Sequence, residues 1–417
     1  MRRHYFDYAA ATPVDPRAEK AMRPYFRKIY GNPGALHWFG QEASAAVFNA
    51  RQKAAEILGC HYKEIVFTSG ATEANNLALR GAVKNISRPK IIISAVEHES
   101  ILETCLELER DGVEVVYLPV DKKGIVDLKK FRIALDDRTI LVSIMYANNE
   151  VGTIQPILEI SKIISEFKKN KAANGGYPLF HTDAAQAFNY LDCNVQRLGV
   201  DLMTLSSQKI YGPKGVGLLY VRKNSKFQIT NHKQIQNSKS KTQNISNFDI
   251  RISDFSAVQP LITGGGQESG LRGGTENVPG IIGFAKAMEI ADRDRAKEAK
   301  RLRDLQKYFL NRIKTILPKA ELNGDLERRL PNNVNLYFPG QETAQDLIIK
   351  LDLAGFAVSP GAACAARICK PSHVLKALGY SDQRASAGLR ITFGRGTSKK
   401  DTEKLSDVLY FILKSSN

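Results

Sequence analysis

The 417-residue sequence has no apolar run long enough to span a bilayer, which excludes a membrane-spanning helix as its organising element. Cysteine is also scarce: five residues are spread thinly along the chain, with no CxxC pair and no close framework. A disulfide scaffold is therefore not expected, and a reducing, cytoplasmic setting is favoured. The opening MRRHYFDYAAATPVDP starts basic but is broken by His, Asp and Tyr before any apolar stretch forms, so it predicts no secretory leader. No internal repeat is found. Few aromatics interleave with Lys and Arg, and the net charge of +17 sits largely on mixed patterns such as DRDRAKEAKRLRDLQK. Such patterns read as solvated helix faces. The excess leaves acidic partners open, while direct nucleic-acid binding is not expected.

What is present is an ordinary globular composition, 43% hydrophobic and 25% charged, in a chain long enough for two packed domains. From Glu64 to about Leu219 one rhythm repeats: a short β-branched run, a polar or Gly-containing turn, then a helix-like segment. The strand candidates are EIVFTS, KIIISAV, VEVVYLPV, TILVSIMYA, YPLFHTD, DLMTLSS and VGLLYVR. Helices are predicted at ATEANNLALRGAV, SILETCLELERDG and PILEISKIISEFKKN, each with apolar residues three and four apart. This pattern predicts an α/β domain with a mostly parallel, seven-stranded sheet. Residues from about 224 to 258 are rich in Asn, Gln, Ser and Lys and read as a polar surface insertion, with a basic arm as the alternative. Beyond the Gly-rich GGGQESGLRGGTENVPG, a helix is predicted from about Ile281 to Ile316, followed by strand-like NNVNLYF, AGFAVSP and RITFG. The expected division is a large α/β domain over 14–262 and a smaller α+β domain built from 1–13 and 263–417.

Ligands of open parallel sheets bind at the carboxyl ends of the strands. At those ends the chain places SGATE feeding a helix, then His98, Asn148-Asn149-Glu150, His181-Thr182-Asp183, and Gln208-Lys209. The SGATE turn suits a phosphate at a helix N-terminus, or is an ordinary capping turn. His181-x-Asp183 is also half of a facial metal triad, but neither His232 nor His373 stands in an obvious partner strand. No metal is expected, and His181 reads as a histidine satisfied locally. Asp183 and Lys209 end successive strands, so they form either a structural ion pair or, with the helix N-terminus, a pyridoxal-phosphate site. Cys364 lies in SPGAACAARIC, where small residues give the thiol little to pack against; a surface loop with an incidental thiol is the plain alternative.

The ordered series YFDYAAATPVDPRA, GNPGALHWFG, VFTSGATEANNLA, VEHES, NNEVGTIQP, HTDAAQA, SSQKIYGPKGVG, LRGGTENVPG, SPGAACA and LRITFGR closely resembles the cysteine desulfurases of the class V aminotransferase family. The resemblance covers almost the whole chain outside the insertion. It implies a fold-type I pyridoxal-phosphate-dependent transferase that converts L-cysteine to L-alanine. Lys209 would be the Schiff-base lysine and Asp183 the partner of the ring nitrogen. His98 would stack on the ring, and Gln186 would bond its hydroxyl. Ala71, Thr72, Ser206 and Gln208 would hold the phosphate, with Thr275 reaching it across a homodimer interface. Asn148 and Arg390 would bind the substrate carboxylate. Cys364 would take the sulfur as a persulfide for acceptor proteins, an iron-sulfur scaffold or tRNA-thiolation proteins. Selenocysteine lyase or another class V transamination is the neighbouring alternative, and a non-enzymatic basic scaffold the distant one. Two features depart from the pattern. Gln208 stands where the family usually has His, so no acid-base role is expected there, and Cys369 lies five residues beyond Cys364. Cys60, Cys105 and Cys193 are expected to be structural.

Overall fold

The computed structural model describes residues 3–170, 176–223, 258–340, 343–361 and 370–414. Cys364, Cys369 and nearly all of the polar insertion lie outside the described residues.

Seven strands form the central sheet: β2 (Ile65–Thr68), β3 (Lys90–Ser94), β4 (Glu114–Leu118), β5 (Thr139–Ser143), β6 (Leu179–Asp183), β7 (Leu202–Ser206) and β8 (Gly217–Val221), preceded in the chain by the short β1 (His4–Tyr5). Their spatial order is β2-β8-β7-β6-β5-β3-β4. All are parallel except β8, which runs antiparallel to both neighbours. The seven strands and the mostly parallel sheet predicted from the sequence are present. The near-continuous apolar runs arise because both faces are covered. In β3, Ile92 enters one core while Ile91 and Ile93 enter the other; in β8, Leu218 and Tyr220 oppose Leu219 and Val221. One face is packed by helices Trp38–Leu58 and Ile157–Asn170 and the first half of Val278–Ile316. The other carries helices Ala71–Val83 and Glu99–Arg110.

A second, antiparallel sheet has the order β12-β13-β10-β9, from β9 (Glu321–Leu322), β10 (Asn333–Tyr337), β12 (Ser359–Pro360) and β13 (Leu389–Thr392); β11 (Phe356–Ala357) pairs with β1. Its core is shared with the second half of helix Val278–Ile316 and with helix Lys399–Lys414. The long helix thus contributes Phe284 and Met288 to the large core and Phe309 and Ile313 to the small one. A further cluster joins Val96, Met145 and Val151, just beyond the ends of β3 and β5, to Val374, Leu375 and Leu378. That contact seats the segment between β12 and β13 over the strand ends.

Candidate active site

The carboxyl ends of β2, β3, β5, β6 and β7 open into a cavity of about 450 Å³. At the end of β2 the chain turns through Ser69 and Gly70 into helix Ala71–Val83, whose first N–H groups and dipole favour an anion. Glu73 closes the turn by accepting from Ser69 N at 2.8 Å, and Arg272 Nε holds the other carboxylate oxygen at 3.0 Å. A Cβ at Gly70 would meet nothing within 4 Å, so the turn is open beside the cavity. Behind it, a Cβ at Gly217 would come within 2.5 Å of the Gly70 carbonyl carbon; only glycine permits that approach. Ala71, Thr72, Ser206 and Gln208 line this part of the wall.

Asp183, His98, Gln186 and Lys209 line the same cavity, so the strand-end residues read from the sequence do converge. Asp183 accepts from Ala185 N at 2.9 Å and from Asn75 Nδ2 at 2.8 Å. Lys209 Nζ donates to the carbonyls of Ala9 and Ala10 at 2.8 and 2.6 Å, and Gln186 Nε2 also reaches Ala9 O. The amine is thus held by the N-terminal segment, a support the motif reading gives no hint of. Burial pushes the His98 pKa down, Asp183 opposes the shift and Lys209 adds to it. His181 is satisfied within the sheet, through Ser143 Oγ at 2.8 Å and Thr204 Oγ1 at 3.0 Å, and burial lowers its pKa to about 4.

Arg390, on β13, lines the opposite wall at 2% exposure. Its Nη2 donates to Asp7 Oδ1 at 2.8 Å and Ser359 Oγ at 3.1 Å, and its Nη1 to Asn149 O at 3.1 Å. Nε is buried with no hydrogen-bond partner among the described residues. A guanidinium at a cavity wall is suited to a carboxylate. Asn148, by contrast, is fully buried and not at the cavity wall: its Nδ2 donates to Val96 O, and its Oδ1 accepts from Glu150 N and Val151 N, each at 2.9 Å. The Asx turn occupies that side chain, and it is Asn149 that lines the cavity. Thr275 is exposed in the Gly-rich loop and does not reach this chain's cavity. The loop is nevertheless tied to the Ser69–Gly70 turn and to β2, through Arg272–Glu73 and through Glu268, which binds Arg51 and accepts from Phe67 N.

Glu150, read from the sequence only as a strand-end residue, and His373, weighed there only as a metal partner, both stand at the wall. Ser372 Oγ donates to Glu150 Oε2 at 2.6 Å, and burial raises the Glu150 pKa. His373 Nε2 lies 3.0 Å from Glu97 O. Cys60, Cys105 and Cys193 are unpaired thiols pushed up to about 12 by burial, as inert packing cysteines are.

Taken together, the open helix N-terminus, the amine, the buried carboxylate and the guanidinium at the wall can hold a phosphate-bearing aromatic cofactor and a substrate carboxylate side by side. Among the described residues no group of three or more His, Cys, Asp and Glu could hold a metal ion, and no helix is long and apolar enough to cross a membrane.

Comparison with known proteins agrees with this geometry. A cysteine desulfurase IscS of Dictyoglomus turgidum is 42% identical over 414 residues, 99% of this chain and 95% of that protein. The cysteine desulfurase IscS 1 of Archaeoglobus fulgidus is 41% identical over 97% of this chain and 95% of its own length. Among solved structures, a NifS-like protein superposes with a TM-score of 0.84 at 34% identity, covering 99% of both chains. A structure of SspA in complex with cysteine superposes with a TM-score of 0.75, also at 34% identity, over 93% of this chain and 98% of that one. The model of the class-V aminotransferases matches residues 4–405, and the chain belongs to that family.

Proposed function

We propose that this protein is a pyridoxal-phosphate-dependent cysteine desulfurase that converts L-cysteine to L-alanine and passes the sulfur on as a persulfide of Cys364. The observation that carries the reading is the convergence of Lys209, Asp183 and Arg390 on one cavity at the carboxyl ends of a parallel sheet. Bound there, pyridoxal phosphate supplies an electron sink for chemistry at the α-carbon of an amino acid. Its phosphate fits the Gly70–Thr72 turn with Ser206 and Gln208, its ring nitrogen the carboxylate of Asp183, its face His98 and its hydroxyl Gln186.

Arg390, at the cavity wall, orients the substrate carboxylate, and Lys209 serves as the amine that holds and returns the α-proton. Cys364 receives the sulfur: an S–S bond forms as the C–S bond of cysteine breaks, and protonation at carbon leaves alanine. On the near side of this cysteine's segment Arg390 Nη1 lies 3.4 Å from Gly361 O, and beyond it Ser372 Oγ binds Glu150 at the cavity wall.

A homodimer completes the reading. Thr275, exposed on a loop braced against the phosphate-facing turn, would serve a second copy's phosphate, and Tyr30, Leu36 and Trp38 form an exposed apolar stretch at 65%, 93% and 64%. The same proposal includes the division into a 14–262 domain and a smaller one from 1–13 and 263–417, a cytoplasmic location, and sulfur-acceptor proteins of iron-sulfur assembly or tRNA thiolation. The test is direct. The purified protein takes on the visible absorption of lysine-bound pyridoxal phosphate, and Lys209→Ala loses it. Cys364→Ser keeps the colour but forms no sulfide from cysteine; full turnover in that variant with a keto-acid acceptor would identify a transaminase instead.

A further inference from the structure

Asn75 is fully buried on helix Ala71–Val83, and the proposed chemistry gives it no role. Its amide nitrogen directs one hydrogen to Asp183 Oδ2 and the other to Ser100 Oγ, both at 2.8 Å. Asp183 dictates this orientation, because the reversed amide would set its oxygen against a carboxylate. The consequence appears at the other end of the group, where Asn75 Oδ1 is buried without a hydrogen-bond partner among the described residues. Packing alone does not favour such an arrangement.

The chain of contacts continues to the cavity. Ser100 accepts from Asn75, which leaves its own proton for His98 Nδ1 at 3.0 Å, and the Ser100 backbone N–H donates to the same nitrogen at 3.1 Å. A backbone N–H only donates, so Nδ1 is an acceptor and the neutral ring carries its proton on Nε2. Burial lowers the pKa of that ring, which favours its neutral form. Helix Ala71–Val83, helix Glu99–Arg110 and strand β6 are thereby joined through Asn75, Ser100 and Asp183, the last two at the cavity wall.

We infer that Asn75 and Ser100 are positioning residues: they lock the carboxylate of Asp183 and the imidazole of His98 into one hydrogen-bonded frame and hold His98 as the Nε2–H tautomer. The consequence for the cofactor rests on the pyridoxal-phosphate reading; the frame itself does not. With the frame intact, the group facing the ring nitrogen and the group facing the ring plane keep a fixed separation, and His98 offers a proton rather than accepting one.

The decisive experiment is a double-mutant cycle on the full-length protein, read as the dissociation constant for pyridoxal phosphate. Asn75→Ala weakens binding about tenfold, the loss expected for one hydrogen bond to a charged group. In an Asp183→Ala background the same substitution costs no more than about threefold, because only the leg through Ser100 to His98 is left to lose. Equal losses in both backgrounds would make Asn75 a packing residue and overturn the proposal. Nitrogen-15 spectra of histidine-labelled wild type, assigned with His98→Gln, give a second test that needs neither an Asn75 variant nor bound cofactor. Nδ1 of His98 is expected unprotonated and Nε2 protonated, with and without pyridoxal phosphate; the opposite tautomer would break the frame. Should the protein bind no pyridoxal phosphate at all, the functional reading fails while the spectra still decide the frame.

Discussion

Replacing Glu97 by Gln should stabilise this protein at high pH and leave it nearly unchanged at low pH. Glu97 follows β3 and is fully buried; its Oε1 accepts from Ser94 Oγ at 2.5 Å and Met145 N at 2.8 Å, while Oε2 has no partner among the described residues. Burial pushes its pKa up to about 8, and the Ser94 and Met145 bonds oppose that rise. In the unfolded chain the group titrates near about 4.3. Between these values the folded state binds a proton that the unfolded state does not, so stability falls as pH rises from about 4 to about 8 and is level outside that window. The rise from about 4.3 to about 8, at about 1.4 kcal/mol for each tenfold, sets an upper bound of about 5 kcal/mol, and relaxation of the site brings the expected effect to about 3 kcal/mol. Gln is neutral throughout and keeps an oxygen for Ser94 and Met145. Urea unfolding of both proteins at one fixed protein concentration, at pH 5 and pH 9, isolates the group because other titrations cancel in the difference. The two proteins should agree within about 1 kcal/mol at pH 5. At pH 9 the variant should be the more stable by about 3 kcal/mol. An identical difference at both pH values would refute the reasoning.

Three further outcomes follow from the geometry. Gly217→Ala drives a methyl to within 2.5 Å of the Gly70 backbone, so it should weaken pyridoxal-phosphate binding about tenfold or more, measured by titration of the visible band. Gly361→Ala places a methyl 2.7 Å from Glu150 Oε2, and alanine production should fall about tenfold while the cofactor spectrum is unchanged. Arg390→Lys keeps the charge but loses the planar fork; KM for L-cysteine should rise about tenfold with the visible band intact, as steady-state kinetics would show.

Much of this organisation is legible in the sequence, and the exceptions have physical causes. Helix Ala71–Val83 coincides with the predicted ATEANNLALRGAV, and helix Ile157–Asn170 lies within its predicted run, because their apolar faces contrast sharply with polar ones. Helix Trp38–Leu58 is hard to read since its buried face is mainly alanine: Ala43, Ala46, Ala50, Ala54 and Ala55. The reversal of β8 is invisible for a different reason, as GLLYV is apolar on both faces and a buried strand reads the same in either direction. At the site, Lys209 and Asp183 are found by their cost at strand ends, whereas the Ala9 and Ala10 carbonyls that hold the amine leave no side-chain signature. Asn148 shows the limit of motif reading: the Asx turn takes its side chain and leaves the cavity to Asn149.

Where the sulfur goes decides between the proposed desulfurase and its rivals. After incubation of the intact protein with pyridoxal phosphate and L-cysteine, mass spectrometry of its peptides should find one extra sulfur atom on Cys364, absent in Lys209→Ala. Sulfur on Cys369, or alanine accumulating with no modified cysteine, would contradict it.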